Sequence, residues 1–141
     1  MSLPAVAAVV VNWNGEAFLE DCLRSLAESD YPALSTIVVD NASTDGSVEM
    51  VRRLFPDASV VENDRNEGYA AGANAGIDAA RSAGAAYALL LNNDLTVASD
   101  AVGALVGAAT GDPRAAFVGP MIYYDDRPDV IWSFGGRISW W

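Results

Sequence analysis

The stretch Ala85-Ala86-Tyr87-Ala88-Leu89-Leu90-Leu91-Asn92-Asn93-Asp94-Leu95 is an unbroken apolar run of strand length that ends in three polar residues instead of continuing into a helix. Such a run reads as a strand buried on both faces of a sheet. In open α/β sheets ligands bind outside the carboxyl ends of the strands, where Asn92, Asn93 and Asp94 fall. An aspartate at a strand tip is either held by loop amides or available as a hard oxygen ligand for Mg²⁺ or Mn²⁺ that also leans on a substrate phosphate.

The same grammar repeats upstream. Ala5 to Val11 is a β-rich apolar run that stops at Asn12-Trp13-Asn14-Gly15, and Thr36 to Val39 is another that stops at Asp40 and runs on to Ser47. Ser59 to Glu62 is a short third strand followed by Asn63-Asp64-Arg65-Asn66-Glu67-Gly68-Tyr69. Between these runs lie helical patterns. Phe18, Leu19, Cys22, Leu23 and Leu26 make one apolar stripe, and Val48, Val51, Leu54 and Phe55 make a second, with Ser43 or Asp45 placed to cap its amides. An Ala- and Gly-rich helix is predicted over Ala70–Ala83, where Ala71, Gly72, Ala75, Gly76 and Ala79 permit close approach to a neighbouring backbone or a ligand. Beyond the opening strand come a helix over Ser99–Ala109, an apolar run over Ala116–Met121, a loop over Asp125–Asp129 and a strand within Val130–Phe134.

Strand and helix alternating four times predicts an α/β fold with a mainly parallel sheet covered by helices on both faces, in one domain spanning residues 1–141. The polar clusters must then emerge along one edge. That gathers Asp40, Asp45, Arg65, Asn66 and Asp94 around a crevice suited to a nucleoside diphosphate, whose phosphates would meet metal and helix amides.

Composition narrows the chemistry. With 19 acidic residues against 8 Arg and no Lys, the net charge of -11 repels nucleic-acid backbones and anionic membranes, so no nucleic-acid partner is expected. The absence of His removes His ligands and His-based triads. Without Lys there is no Walker-type loop, and no Gly-x-Gly-x-x-Gly follows the first strand. The single cysteine, Cys22, reads as a small buried hydrophobe and fits a reducing compartment. No apolar run approaches the length of a membrane span, and the amino terminus carries no secretory signal. The bulky Trp140-Trp141 end, where a finished domain usually tapers into polar residues, reads as the end of a fragment.

Val9-Val10-Val11-Asn12-Trp13-Asn14-Gly15, Val38 to Ser47, Asn66 to Gly76 and Leu89 to Asp94 resemble, in order and separation, the sequence blocks of family 2 glycosyltransferases, most closely the bacterial rhamnosyltransferase-like branch. The resemblance implies a GT-A fold whose Rossmann-like amino-terminal half binds a nucleoside-diphosphate sugar, with TDP- and UDP-sugars as leading donors. It implies that Asn12 and Asn14 line the nucleoside pocket, Asp40 meets the base, and Arg65 and Asn66 close over the nucleoside. Asp94 matches the last acid of the Asp-x-Asp motif and would hold the divalent metal, Mg²⁺ or Mn²⁺. Asn92 replaces the first acid and, with Asn93, would contact ribose or diphosphate.

The implied reaction is inverting transfer to a hydroxyl of a saccharide or lipid-linked acceptor, in cell-wall or other polysaccharide biosynthesis, in the cytoplasm or at the inner face of the membrane. No catalytic base is assigned on this chain, since the family supplies it from a later acidic segment, expected beyond Trp141. Asp125, Asp126 and Asp129 read as a solvated loop. The bulk of Trp13 serves either a pocket wall or a core plug, and Tyr123, Tyr124 and Trp132 either meet a sugar acceptor or pack against the half expected beyond Trp141. Two other classes stay open: a non-catalytic nucleotide-sugar-binding or assembly module that uses the exposed apolar end to pair with another chain, and a nucleotidyltransferase, which would want a basic glycine-rich loop after the first strand. A homo-oligomer formed through an uncovered, truncated sheet edge is a further expectation. The isolated 141-residue chain is predicted to transfer sugar weakly or not at all; robust turnover by the purified chain would contradict this reading.

Overall fold

The computed structural model describes residues 2–135. Trp140 and Trp141, on which the expectation of a fragment rests, lie outside them. The described residues form two compact units, divided between Ser99 and Asp100.

The first unit contains β1 (Val6–Asn12), α1 (Glu16–Ala27), β2 (Leu34–Asp40), α2 (Ser47–Leu54), β3 (Ser59–Glu62), α3 (Tyr69–Ser82) and β4 (Tyr87–Asn92). Its strands form one parallel sheet in the order β3-β2-β1-β4. Every residue of β1 is buried, because both faces are covered. Ala8 and Val10 pack with Leu19, Cys22, Leu23 and Leu26 of α1 and with Met50 and Val51 of α2. Ala7 and Val9 face the other way, with Ile37 and Val39 of β2 and with Ala75, Ala79 and Ala80 of α3. The period of two along the strand thus feeds two cores from one continuous apolar run.

Three expectations are corrected. The run at Tyr87–Leu91 does form a strand, but among the described residues it is an edge strand bonded only to β1; Leu91 is buried while Leu90 is 42% exposed. Apolar content marks a strand but does not say how many neighbours it has, and the doubly covered central strand is β1. Phe18 is exposed, because it lies about a quarter turn away from the Leu19/Cys22/Leu23/Leu26 stripe. In α2, Met50 takes the buried place expected for Leu54, which is half-exposed.

The glycine stripe of α3 serves packing. A Cβ at Gly76 would overlap Val9 Cγ1, so the bare backbone is what lets α3 lie down on β1.

The second unit contains α4 (Ala101–Gly111), with Val102 and Val106 buried, and an antiparallel hairpin of β5 (Ile122–Tyr124) and β6 (Arg127–Ser133). The apolar run Ala116–Met121 forms no regular element, since Gly119-Pro120 interrupts it. Within the expected Asp125–Asp129 loop only Asp125 and Asp126 turn the chain. Tyr124 pairs with Arg127, whose guanidinium stacks 4.5 Å from the Tyr124 ring, and Pro128 is tolerated on a two-stranded ribbon.

Gly76→Ala is expected to destabilise the chain by about 1–3 kcal/mol through overpacking. Gly107→Ala, whose Cβ would enter open space in α4, is expected to be neutral or mildly stabilising, with urea unfolding of both variants as the measurement.

Candidate functional site

In register, Asn12 lies opposite Asp40, Val11 opposite Asn92, and Asp40 opposite Glu62. The four polar clusters therefore leave the sheet along one edge, as the sequence predicts. From β1 the chain moves outward to β2 and β3, then returns to the far side as β4, so the loops after β1 and β4 diverge at the point where strand order reverses. A cleft of about 340 Å³ opens there, lined by Val11, Asn12 and Trp13 from β1 and by Asn92, Asn93 and Asp94 from β4. Asn41, Asn66, Gly68 and Tyr69 complete it.

Its floor is organised by one buried amide. Asn12 Nδ2 donates to Asp40 Oδ1 at 3.0 Å, to Ser47 Oγ at 2.9 Å and to Ser43 Oγ at 3.2 Å. Asn12 Oδ1 accepts from Asn93 Nδ2 at 2.8 Å. Ser43 also donates its hydroxyl to Asp40 Oδ1, and its backbone N–H donates to Asp40 Oδ2. Asp40, 3% exposed, is thus a buried carboxylate with both oxygens engaged, and it does not line the cleft. No buried side-chain nitrogen or oxygen among the described residues lacks a partner.

Asn14 also turns away from the cleft. It sits at φ 50°, a left-handed conformation that asparagine tolerates, with its N–H donating to Ser43 Oγ and its Oδ1 accepting from Thr44 N–H at 2.8 Å. Beside it two helix amino ends brace each other. Asp45 Oδ2 accepts from Glu16 N–H and Asp45 Oδ1 from Ser47 N–H and Oγ, while Glu16 Oε2 accepts from Gly46 N–H. Asp45 is therefore a cap that serves both α1 and α2.

On the far wall, Asn41 holds the segment leading to α3. It accepts from Asn63 Nδ2 at 2.7 Å and donates to Gly68 O at 3.2 Å. This turns Asn66 and Tyr69 toward the cleft, with Asn66 Oδ1 accepting from Gly68 N–H. Arg65 points elsewhere and pairs with Glu67 at 2.7 Å, 80% exposed. Of the eight residues singled out from sequence, Asn12, Asn66, Asn92, Asn93 and Asp94 meet at the cleft; Asn14, Asp40 and Arg65 do not line it. Trp13, 57% exposed, is a wall of the cleft and not a core plug. Tyr69 escaped the sequence reading, and its position directly after Gly68 at the start of α3 was the available signal.

Among the described residues no three acidic, Cys or His side chains gather as a ready metal cage. Asp94 offers one carboxylate flanked by two amides. That donor set fits a hard cation only in company with phosphate oxygens, which is how Mg²⁺-type ions are commonly held at nucleotide sites. Cys22, fully buried behind β4, donates weakly to Asn92 O, and burial together with the Asp94 charge pushes its thiol up to about 11. It is a packing residue and no nucleophile.

A parallel α/β sheet with a carboxylate-and-amide cleft at its switch point belongs to the class of nucleotide-binding folds, here of GT-A type. Residues 7–138 match the glycosyl transferase family 2 profile, and the chain belongs to that family. It is 30% identical over 128 residues to the N-acetylglucosaminyl-diphospho-decaprenol L-rhamnosyltransferase of Mycobacterium tuberculosis, covering 85% of this chain and 41% of that protein. The chain thus spans under half the length of this curated relative. The mannosyltransferase PcManGT of Pyrobaculum calidifontis, solved with GDP-Man and Mn²⁺, superposes with a TM-score of 0.69 at 32% identity, over 78% of this chain and 33% of that one. S. aureus TarS, solved with UDP, shares the fold with a TM-score of 0.67 at 20% identity, over 76% of this chain and 32% of that one.

Burial opposes the charge of Asp45, but the hydrogen bonds from Ser47 and the Glu16 amide outweigh it and hold its carboxyl below the ordinary range. A carboxyl whose pKa is lower folded than unfolded stabilises fully above the unfolded value and loses that contribution as pH falls through the folded one. Asp45→Ala is expected to cost about 1 kcal/mol at neutral pH. Unfolding midpoints followed downward from pH 6 should show that difference shrinking below about pH 4.

Proposed function

We propose that residues 1–141 act as a single nucleotide-sugar-binding domain, the donor half of an inverting glycosyltransferase that moves a sugar from a nucleoside diphosphate to an acceptor hydroxyl. The supporting observation is the cleft at the reversal of strand order, where Asn66, Asn92, Asn93 and Asp94 converge between Trp13 and Tyr69. The aromatic faces suit a nucleobase, and the amides suit ribose and phosphate oxygens. Asp94, with Asn92 and Asn93 beside it, would hold a divalent cation; such an ion, when bound, offsets charge on the departing diphosphate.

Asn12, Asn14 and Asp40 serve the site by shaping the loops that frame it, and Arg65 is paired with Glu67 outside the cleft lining. In the reaction the acceptor oxygen bonds to the anomeric carbon as the bond to the diphosphate breaks, and a carboxylate base takes the acceptor proton. That base is not assigned to this chain: Asp125, Asp126 and Asp129 are exposed on the hairpin of the second unit. The relative that is a rhamnosyltransferase and the neighbours solved with UDP and GDP-Man support a nucleotide-sugar donor, without choosing among TDP, UDP and GDP. A cell-wall or polysaccharide acceptor and a cytoplasmic or membrane-peripheral location accord with such a role; no helix among the described residues is long and apolar enough to cross a membrane.

Calorimetric titration of UDP, TDP and GDP with and without Mn²⁺ tests this reading. At least one nucleotide is expected to bind more tightly with Mn²⁺, and Asp94→Ala is expected to remove the metal-dependent gain. A gain that survives Asp94→Ala would reject the metal assignment.

A further inference from the structure

Both ends of the Asn12 amide are consumed inside the protein, and the polarity of its bonds is fixed from behind. Ser43 and Ser47 donate their hydroxyl protons at 2.5 Å to Asp40 Oδ1 and Asp45 Oδ1, so their oxygens can only accept from Asn12. Asp40 Oδ1 is likewise an acceptor of the Asn12 N–H. Asn12 must therefore turn its nitrogen toward β2 and its carbonyl oxygen toward β4, where it receives Asn93 Nδ2. That choice propagates. With one of its two N–H hydrogens held at the floor, Asn93 keeps Oδ1 and the second N–H for the cleft it lines, and no described residue donates to that oxygen.

We propose that Asn12 is a positioning residue that aims the Asn93 carbonyl oxygen into the cleft beside Asp94, so that position 93 accepts from an electron-poor group at the donor site, a hydroxyl hydrogen or the cation. The order runs from the carboxylates of Asp40 and Asp45 through two serines and Asn12 to Asn93, linking β2 to β4 across β1. Gly15 belongs to this device. A Cβ there would collide with both Asn93 Nδ2 and Asn12 Oδ1, the two atoms of the aiming bond, while its φ of -108° suits alanine equally well. Gly15→Ala therefore breaks the aim without changing the chemistry of either asparagine.

This inference rests on the donor-binding reading, and two arms separate the fates of the two. In the first, the parent chain, Gly15→Ala, Asn93→Ala and the double variant are titrated with UDP, TDP and GDP, in EDTA and in Mn²⁺, with circular dichroism as the folding control. Each single variant is expected to weaken binding about tenfold, the size of one lost hydrogen bond, and the double variant no further. A loss in both media identifies a nucleotide hydroxyl as the partner of Oδ1, and a loss only in Mn²⁺ identifies the cation. Additive losses, or none, overturn the proposal. In the second arm, nitrogen-15 spectra follow hydrogen exchange of the Asn93 side-chain amide without ligand. Exchange is expected to be slow in the parent and at least about tenfold faster in Gly15→Ala; equal rates overturn the positioning role. If the parent binds no nucleotide in either medium, the donor-binding reading fails and the aim into a donor site fails with it, while the exchange arm still decides whether Asn12 holds Asn93.

Discussion

The hydrogen bonds of one buried amide, Asn12, join the ends of three strands, and the cleft exists because they do. Asn12 is 1% exposed and sits where β1 leaves the sheet, with Asp40, Ser43 and Ser47 on one side and Asn93 on the other. A buried amide without partners costs a few kcal/mol, so each of these groups is held to its place by the penalty of leaving it. The loops after β1, β2 and β4 therefore behave as one body. The cleft-lining Asn92 and Asp94 inherit their positions from this body, and Asn66 takes its place through the segment that Asn41 holds.

The arrangement divides labour among residues of the same type. Asn12, Asn14 and Asn41 spend their side-chain hydrogen bonds inward, on loops and helix starts, even though Asn12 and Asn41 also line the cleft that Asn66 and Asn92 border. The reciprocal bonds between Glu16 and Asp45 do for the two helix starts what Asn12 does for the strand tips. Packing beneath is correspondingly tight. The central strand is covered on both faces, and α3 approaches it so closely that Gly76 has no room for a methyl group.

Much of this was legible in the sequence, because apolar runs that stop abruptly at Asn or Asp mark strand tips, and strands that alternate with amphipathic helices must run parallel. The polar edge, the two-sided core of β1 and the packing role of the α3 glycines follow from those patterns. Other features were not legible, for physical reasons. The run Tyr87–Leu91 has the composition of an interior strand, yet among the described residues it is bonded on one side only, and side chains do not encode the number of neighbours. Asp40 and Asn14 carry the right chemistry for ligand contact, but composition does not reveal whether their lone pairs are already taken by nearby amides and hydroxyls. Trp13 and Tyr69 became cleft walls through the path of the backbone, which spacing alone leaves open.

The bond between Asn12 and Asn93 spans 81 residues of chain, and its formation requires β4 to have docked beside β1. During synthesis β1, β2 and β3 therefore emerge before the last wall of the cleft exists. A nascent polypeptide can collapse around β1, but its binding crevice is incomplete until β4 lies in register beside β1.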